Sequence, residues 1–364
     1  MKLDFDAIII TSDEPYSKMW HTQLIYTEYL SKSNTVFYIA PPKKWKLKNI
    51  FENSFKTLKQ SKKLQVLHYI NRLPSFLDRN KYNDAYNERK MGALLKNGGY
   101  KKILLWHFDS YRSSFSHAFF DNNFTITRIY HVIDPFYKNP IDRWLCKVAN
   151  SIVITSPRNN GYYSDFKNKV INIPQSLDIQ LQQTLLNGRQ HAFLKPDLPF
   201  VVLLGTISDD IDFDWILNLL EINIRVVIIG KSTGLVKSKS ISEIVFNHSN
   251  AEYLGVLSPE EFYPILSKAK AGLIVYNEDR RSKVCSPLKA LNYLVSNIPV
   301  ITNIDCEITE LSGKCIFNCV DSSQFVDKVK HALNGSIPNT TIFSDKYLAE
   351  NSLQSSLIKI MSTL

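Results

Sequence analysis

Short apolar runs rich in β-branched residues alternate with segments of helical periodicity along most of the chain. In the first half the apolar runs are Ala7–Ile10, Thr35–Ile39, Leu64–Tyr69, Lys102–Trp106, Ile126–Val132, Ser151–Thr155 and Val170–Ile173. In the second half they are Phe200–Leu204, Arg225–Ile229, Glu252–Leu254, Gly272–Tyr276, Pro299–Thr302 and Cys315–Phe317. Strands that alternate with helices form a parallel sheet covered by helices on both faces. The pattern therefore predicts an α/β protein.

A polar stretch between Leu177 and Pro199 interrupts this alternation and divides the chain. A chain of 364 residues is long enough for two domains of ordinary size. We predict two tandem Rossmann-like doubly wound domains, at residues 1–185 and 196–342, and a C-terminal helix at 343–364 that packs back on the first domain. Because ligands of open α/β sheets bind at the carboxyl ends of the strands, we expect the two domains to face one cleft.

The composition is typical of a folded protein, with 44% hydrophobic and 21% charged residues. The first six residues are too acidic for a signal peptide, and no run of about 20 apolar residues would span a membrane. The five cysteines show no metal-ligand spacing, so we expect reduced thiols. We predict a cytoplasmic protein with no bound cofactor and no requirement for a metal.

A formal net charge of +10 favours an anionic partner. The stretch Lys43–Lys63 contains eight lysines and one acidic residue, Glu52, interleaved with apolar side chains. Such a basic amphipathic stretch can bind an anionic membrane surface, which predicts peripheral association with the inner face of the membrane. The alternative is a solvated helix face.

Glycines follow two strands of the second half. Gly230-Lys231-Ser232 is not a phosphate-binding P-loop, because Arg225 stands where that motif requires glycine, and no GxGxxG run exists. Gly205 and Gly230 each follow a strand directly, where a missing side chain lets the backbone approach a ligand. The alternative is that both are plain tight turns.

The segment Gly272–Thr302 has the pattern of a strand, a charged loop, a helix that starts at Ser286-Pro287, and a second strand. A serine cap followed by proline leaves free backbone N–H groups and the positive end of the helix dipole toward the loop. Four basic side chains lie near that helix start, namely Arg280, Arg281, Lys283 and Lys289. The combination predicts a diphosphate site that includes Ser286. The alternative is a solvated surface loop.

The same segment resembles a known family. Ser286–Leu294, followed by Ile298–Thr302, is similar to the S-P-x-K-x-x-E-Y-L-x-x-G-x-P-V-V segment of GT-B glycosyltransferases of the family-4 kind. The resemblance implies a GT-B fold, with Lys289 near the donor diphosphate and Asn292 at the ribose hydroxyls.

Weaker similarity extends over nearly the whole chain. Val201–Ile207 resembles the family's first strand and glycine turn of the C-terminal domain, and Ala251–Phe262 its base-binding strand, which implies a donor contact at Val256. Ile129–Asp134 and Ala149–Ser156 resemble strands of its acceptor domain.

Two positions depart from the family's pattern. Asn292 replaces the glutamate, and its neutral amide can still bond ribose hydroxyls, although without a charge-assisted bond. The inverting xanthan glucuronosyltransferase type also has an amide there, so the difference points toward inverting chemistry. Asn297 replaces a glycine, and asparagine tolerates the left-handed backbone of such a turn.

Polar residues follow three strands of the first half. Asp134, Asp109 and His107 are candidates for catalysis, because an inverting transferase needs a general base within hydrogen-bond reach of the acceptor hydroxyl. The alternatives are helix N-caps for the two aspartates and a buried core position for the histidine. Asp13 and His21, in and after the loop that follows the first strand, are candidates for acceptor binding.

These features predict transfer of a sugar from a nucleoside diphosphate sugar, UDP-linked by preference, to a saccharide or lipid-linked saccharide in cell-surface polysaccharide synthesis. One alternative is a nucleotide-sugar epimerase of the same fold, and another is a non-catalytic protein that binds anionic surfaces. No nucleic-acid-binding module is recognisable in the sequence, so we expect no nucleic acid partner. A dehydrogenase is disfavoured, because this chain lacks the glycine pattern that binds a dinucleotide cofactor.

Overall fold

The computed structural model describes residues 1–17, 20–43, 55–74, 82–110, 123–134, 139–186, 198–233, 235, 237–277, 286–337 and 341–364. By internal contacts the chain forms two compact units. The first consists mainly of Met1–Ser17, His21–Ile173 and Leu357–Leu364, and the second mainly of Pro174–Ser356. The change of unit thus falls between Ile173 and Pro174.

Unit 1 contains a sheet of eight strands in the order β3-β4-β2-β1-β5-β6-β7-β8. The strands are β1 Ala7–Thr11, β2 Val36–Ile39, β3 Phe55–Lys59, β4 Leu64–Tyr69, β5 Lys102–His107, β6 Thr125–Val132, β7 Ser151–Ile154 and β8 Val170–Asn172. All neighbouring pairs are parallel except β3 and β4, which are antiparallel.

Unit 2 contains a sheet of six parallel strands in the order β11-β10-β9-β12-β13-β14. The strands are β9 Phe200–Leu204, β10 Arg225–Ile229, β11 Ala251–Gly255, β12 Ala271–Ile274, β13 Val300–Thr302 and β14 Ile316–Asn318. The two sheets confirm the predicted α/β class.

The α-helices of the described residues connect these strands. They are α1 Thr22–Ser31, α2 Tyr82–Asn97, α3 Pro140–Val148, α4 Ile179–Leu186, α5 Phe213–Glu221, α6 Lys239–Asn247, α7 Pro259–Leu266, α8 Leu288–Val295, α9 Ser322–Leu333, α10 Thr341–Glu350 and α11 Leu353–Met361. Among the described residues, no helix is both long and apolar enough to cross a membrane.

The central strands are buried along their whole length. Every residue of β1, β9 and β10 is buried, which matches their nearly unbroken apolar sequences. Helices cover both faces of a parallel sheet, so a central strand gains from an apolar side chain at every position and not only at alternate ones. Each fully buried aliphatic side chain contributes about 1.5–3 kcal/mol, which makes these strands the core of each unit.

Part of the basic stretch Lys43–Lys63 forms an edge strand and not a helix face. Phe55–Lys59 pairs antiparallel with β4, and residues 44–54 lie outside the described residues. The alternative of a solvated helix face is therefore wrong for Phe55–Lys59, where lysines interrupt the alternation typical of a strand and an exposed edge tolerates them on both faces.

Two other segments also differ from the sequence-based prediction. The polar stretch Leu177–Pro199 contains helix α4, and its Gln182 side chain is fully buried in spite of its polarity. The last segment, 343–364, belongs to two helices, α10 and α11, and not to one. The end of this segment, Leu357–Leu364, belongs to unit 1, where the Thr363 hydroxyl donates to Ser151 Oγ at 2.9 Å.

Two histidines of unit 1 are buried in a neutral form. Burial lowers the pKa of His131 on β6 to about 3, where its ring stacks on Phe108 with centroids 4.6 Å apart. Burial, with a smaller contribution from the charge of Arg128, lowers the pKa of His107 on β5 to about 3. The unfolded chain binds a proton at each histidine below its ordinary pKa near 6.5, whereas the folded chain does not.

We predict that acid destabilises the protein well before its carboxylates titrate. The two lowered pKa values leave the stability unchanged above about pH 6.5, where the histidines are neutral in both states, and they lower it progressively as the pH falls from 6.5 toward 3. Between pH 7 and pH 5 each histidine should lower the free energy of unfolding by about 2 kcal/mol. Urea unfolding at both pH values measures this change. His131→Phe keeps a flat ring and should remove about half of the loss in unfolding free energy between pH 7 and pH 5. An unchanged pH dependence in that variant would show that His131 is not a buried neutral histidine.

Candidate functional site

The strand order of unit 2 reverses between β9 and β12. From β9 the chain continues outward to β10 and β11, and from β12 it continues in the other direction to β13 and β14. The loops that leave β9 and β12 therefore start side by side at the carboxyl ends of these two strands and lead to opposite halves of the sheet. In open α/β sheets this reversal is the preferred place for a ligand.

Glycines terminate three adjacent strands at this edge. Gly205 follows β9, Gly230 follows β10 and Gly255 ends β11, with φ angles of 124°, 146° and 67°. A Cβ atom on Gly230 would lie 1.7 Å from the carbonyl oxygen of Gly205. The two backbone segments are thus closer than any residue with a side chain would permit at position 230. Glycine is required there for this close contact, and not only for the turn.

The Lys289 side chain lies over the first of these glycines. A Cβ atom on Gly205 would lie 3.2 Å from both Cε and Nζ of Lys289. The ammonium nitrogen also lies 4.7 Å from the centroid of the Tyr276 ring, within the range of a cation–π interaction. Among the described residues Lys289 forms no ion pair, so its charge is available to an anion at the end of β9.

Asn303 holds the backbone of Tyr276 in place. The Tyr276 N–H donates to Asn303 Oδ1 at 2.9 Å, and Asn303 Nδ2 donates to the Tyr276 carbonyl oxygen at 2.8 Å. Asn277 Nδ2 in turn donates to the Asp209 carbonyl oxygen at 2.7 Å, which ties the loop after β12 to the loop after β9. The backbone of the segment that carries the Tyr276 ring is therefore fixed by hydrogen bonds from asparagine side chains.

Helix α8 begins one residue later than the sequence suggests. The N-cap is Pro287, with φ −74° and ψ 115°, and it provides no side-chain cap. The predicted serine cap is therefore wrong, since Ser286 precedes the N-cap position. The first turn keeps the positive end of its dipole without a capping side chain. The predicted cations Arg280, Arg281 and Lys283 lie outside the described residues.

Tyr293 anchors α8 to the sheet. Its buried hydroxyl accepts from the Leu204 N–H at 2.8 Å and donates to the Leu273 carbonyl oxygen at 3.1 Å, so it bonds to both β9 and β12. Gly272 makes room for the ring, because a Cβ atom there would lie 2.2 Å from Tyr293 Cγ. Lys289 stands one helical turn before Tyr293, so this anchor also positions the ammonium.

Asn292 and Val256 occupy different environments. Asn292 is 8% exposed, and its Oδ1 accepts a hydrogen bond from the Tyr263 hydroxyl at 2.6 Å. Val256 directly follows β11 and is 46% exposed. Sequence reasoning missed Tyr263, Tyr293 and Gly272. Tyr293 lies inside the recognised motif, but only the folded chain shows which groups these three residues contact.

All candidates in unit 1 except Asp134 lie near the reversal of its own sheet, between β1 and β5. His107 is buried, its Nδ1 lies 3.2 Å from the Thr11 hydroxyl, and its low pKa makes it a poor general base. Asp109 is also buried, whereas Asp134 after β6 is half-buried.

The two acceptor candidates share one partner. Gln23 Nε2 donates to Asp13 Oδ1 at 2.9 Å, and Gln23 Oε1 lies 3.0 Å from His21 Nδ1. Burial lowers the pKa of His21, with smaller opposing effects from Gln23 and Glu14. The structure thus brings Asp13 and His21 into one hydrogen-bonded group, which sequence spacing alone does not indicate.

The described residues hold no group of three or more His, Cys, Asp or Glu side chains arranged to bind a metal. Neither a protein-family model nor a curated protein sequence matches this chain.

Solved structures share its fold along the full length. Sucrose-phosphate synthase from Thermosynechococcus elongatus aligns with a TM-score of 0.70 and 12% identity, over 98% of each chain. A UDP-forming α,α-trehalose-phosphate synthase from Burkholderia xenovorans, in complex with glucose-6-phosphate, aligns with a TM-score of 0.70 and 10% identity, over 98% of this chain and 99% of that one. A trehalose-6-phosphate structure from E. coli, bound with UDP-2-fluoro glucose, aligns with a TM-score of 0.68 and 12% identity, over 98% of each chain. These similarities confirm the predicted GT-B fold class, whereas the likeness to family 4 and to the xanthan type stays a prediction.

We predict that Gly230→Ala disrupts this edge of the sheet and Gly255→Ala does not. Both glycines have positive φ, so each alanine should cost about 1 kcal/mol through its backbone conformation. The Gly230 variant must also displace the Gly205 carbonyl, whereas no atom lies within 4 Å of a Cβ on Gly255. We expect a total loss of about 3 kcal/mol or more for Gly230→Ala, measured by urea unfolding. Equal losses in the two variants would rule out the close backbone contact.

Proposed function

We propose that the protein is a glycosyltransferase that uses a nucleoside diphosphate sugar, UDP-linked by preference. The observation that carries this proposal is the Lys289 ammonium over Gly205, at the strand reversal of unit 2 and in the first turn of α8. A fixed cation and a helix N-terminus together suit a diphosphate. The solved neighbours of the same fold include UDP-forming synthases, which supports a UDP-sugar as donor.

In this proposal unit 2 binds the donor. Lys289 and the N-terminal turn of α8, which starts after Ser286, stabilise the negative charge that develops on the diphosphate as the bond to the sugar breaks. Arg280, Arg281 and Lys283 supply further positive charge from the preceding loop. Gly205 and Gly230 let the backbone approach the donor. Asn292 bonds the ribose hydroxyls and Val256 contacts the base.

Unit 1 supplies the acceptor side. In an inverting transfer, a carboxylate accepts the proton of the acceptor hydroxyl. The hydroxyl oxygen attacks the anomeric carbon of the donor sugar, and the nucleoside diphosphate leaves. Asp134 is the favoured base, because it is half-buried and reachable, and Asp109 is the second candidate. His107 contributes through its bond to Thr11 and not as the base. Asp13 and His21 contact the acceptor.

The acceptor in this proposal is a saccharide or a lipid-linked saccharide of cell-surface polysaccharide synthesis. A net charge of +10 suits a phosphorylated acceptor or its anionic membrane. One solved neighbour is in complex with glucose-6-phosphate, a phosphorylated sugar.

We predict that Lys289→Ala lowers kcat by about 100-fold or more, because the leaving diphosphate loses its fixed cation. Release of UDP from UDP-sugars in the presence of candidate acceptors measures turnover. Lys268→Ala removes an exposed lysine of the same unit and should leave turnover unchanged.

Near-normal turnover in a folded Lys289→Ala protein would refute the role of this lysine. Conversion of the donor sugar without any acceptor would identify an epimerase and overturn the transferase proposal.

We also propose that the edge strand β3 and the turn after it bind the inner face of an anionic membrane. Lys56, Lys59, Lys62 and Lys63 are exposed there, next to Leu58, which is 49% exposed. Each lysine near an anionic surface contributes about 1 kcal/mol. The lysines of residues 44–54 continue the basic stretch in the sequence.

We predict that replacing these four β3-side lysines by glutamine lowers flotation with anionic liposomes by at least tenfold. The matched control replaces four exposed lysines of unit 2, Lys268, Lys270, Lys314 and Lys330, and so removes the same total charge. Equal losses in the two proteins would show that net charge, and not this surface, causes the binding.

A further inference from the structure

Asp142 on helix α3 is a carboxyl group in the interior of unit 1, where it is fully buried. Its Oδ1 accepts hydrogen bonds from two buried phenols, the Tyr130 hydroxyl at 2.5 Å and the Tyr163 hydroxyl at 3.0 Å. Its Oδ2 is also buried and has no hydrogen-bond partner among the described residues. One oxygen of this carboxyl thus takes both bonds, and the other takes none.

No cation forms an ion pair with Asp142 within the described part of the chain. Arg143, the next residue, lies at the surface and pairs with Asp165 at 2.6 Å. The titratable and charged groups around Asp142 are Tyr130 on β6, Tyr163 on the 3₁₀ helix Pro157–Phe166, Cys146 and Arg143 on α3, and Lys169, which donates to carbonyl oxygens at the end of α3. Burial, and next the charge of Asp142, raise the pKa of Cys146 to about 12, so this thiol is neutral.

The surroundings of Asp142 favour its protonated form. An ionised carboxylate at this place loses its hydration and gains only two neutral donors, both on one oxygen. Burial therefore raises the pKa of Asp142, although the two phenols and, to a smaller extent, the charge of Arg143 lower it. A proton on Oδ2 removes the buried charge and leaves both phenol bonds to Oδ1 in place.

Helix α3 connects this carboxyl to the loop after β5. Asn139 is the N-cap of α3, where its Oδ1 accepts from the Ile141 N–H at 3.0 Å. Its Nδ2 donates to the Ser110 carbonyl oxygen at 2.8 Å. Ser110 directly follows Asp109 in that loop. The bonds at Asp142 thus position a helix whose start is bonded to the loop after β5.

We propose that Asp142 carries a proton on Oδ2 in the folded protein, and that loss of this proton to solvent loosens α3 from β6 and, through Asn139, the loop after β5. The proposal is independent of the proposed function. It describes a contact that weakens as the pH rises, because deprotonation leaves a negative charge buried between two phenols and no cation.

The sign of the effect follows from the raised pKa. Below an unfolded pKa near 3.9, Asp142 is protonated in both the folded and the unfolded chain and has no effect on stability. As the pH rises above that value, the unfolded chain releases its proton first, and stability falls until the folded pKa is passed. This dependence is opposite in sign to that of the two buried histidines.

The test compares the wild-type protein with Asp142→Asn by urea unfolding at several pH values from 4.5 to 8. The amide keeps an acceptor oxygen for both phenols and cannot ionise. The stability of the variant relative to wild type should rise with pH, by about tenfold in the unfolding equilibrium constant for each unit by which the folded pKa exceeds the unfolded one. His107 and His131 are present in both proteins, so their contribution cancels in this comparison.

The matched control is Asp178→Asn. Asp178 is a second buried aspartate, and its Oδ1 accepts from the Leu181 N–H at 3.4 Å at the start of α4. The start of a helix favours a negative charge. This variant should therefore gain no stability over wild type as the pH rises.

Two further measurements locate the effect. Tyr163→Phe removes one donor to the carboxylate, so it should lose more stability at pH 8 than at pH 4.5. Hydrogen exchange, corrected for the intrinsic rates, should show that the protection of the α3 amides Leu145–Val148 in wild type relative to Asp142→Asn falls between pH 4.5 and pH 8.

Each outcome of these measurements decides the proposal. A stability difference between wild type and Asp142→Asn that is the same at every pH would show that Asp142 titrates alike in both states, and would overturn it. A difference that shifts in favour of wild type as the pH rises would show that the ionised carboxylate is the stabilised form, with the same result. If Asp142→Asn does not fold, an equal loss in Tyr163→Phe at both pH values overturns the proposal. If the α3 amides respond no more than those of β1, deprotonation does not loosen α3.

Discussion

The site in unit 2 depends on the hydroxyl of Tyr293. Its bonds to Leu204 and Leu273 bridge β9 and β12 at the point where their loops separate. A backbone N–H at the end of a buried strand needs a partner, and here a side chain from α8 provides it. The helix is thereby attached to both strands, and Lys289 and Asn292 take their positions from it. Gly272 is required because the ring occupies the space of its side chain.

The electrostatics of the two units differ in a way that suits different tasks. In unit 2 a cation and a helix dipole meet at an edge of glycines, where backbone and ammonium can both approach an anion. In unit 1 His107 and His131, at the ends of two central strands, are buried and neutral. Positive charge is thus concentrated at the glycine edge of unit 2, whereas these two histidines of unit 1 carry none.

Much of the fold was predictable from the sequence because buried parallel strands are apolar throughout. The limits of β9 and β10 agree with the predicted runs Phe200–Leu204 and Arg225–Ile229. Strand β3 was missed, because an edge strand is solvated on both faces and carries no apolar pattern. Helix α4 was hidden for a related reason, since its buried position is held by a polar side chain, Gln182.

The sequence by itself determined the order of the buried strands and the helices between them, the glycines at the strand ends and the presence of a lysine in the first turn of α8, because these follow from local patterns of residues. Only the tertiary structure decided that Lys289 lies over Gly205, that Gly230 touches the Gly205 carbonyl and that Tyr263 holds Asn292. These contacts join residues 25 to 84 positions apart. They depend on how strands and helices pack, which no local pattern of side chains specifies.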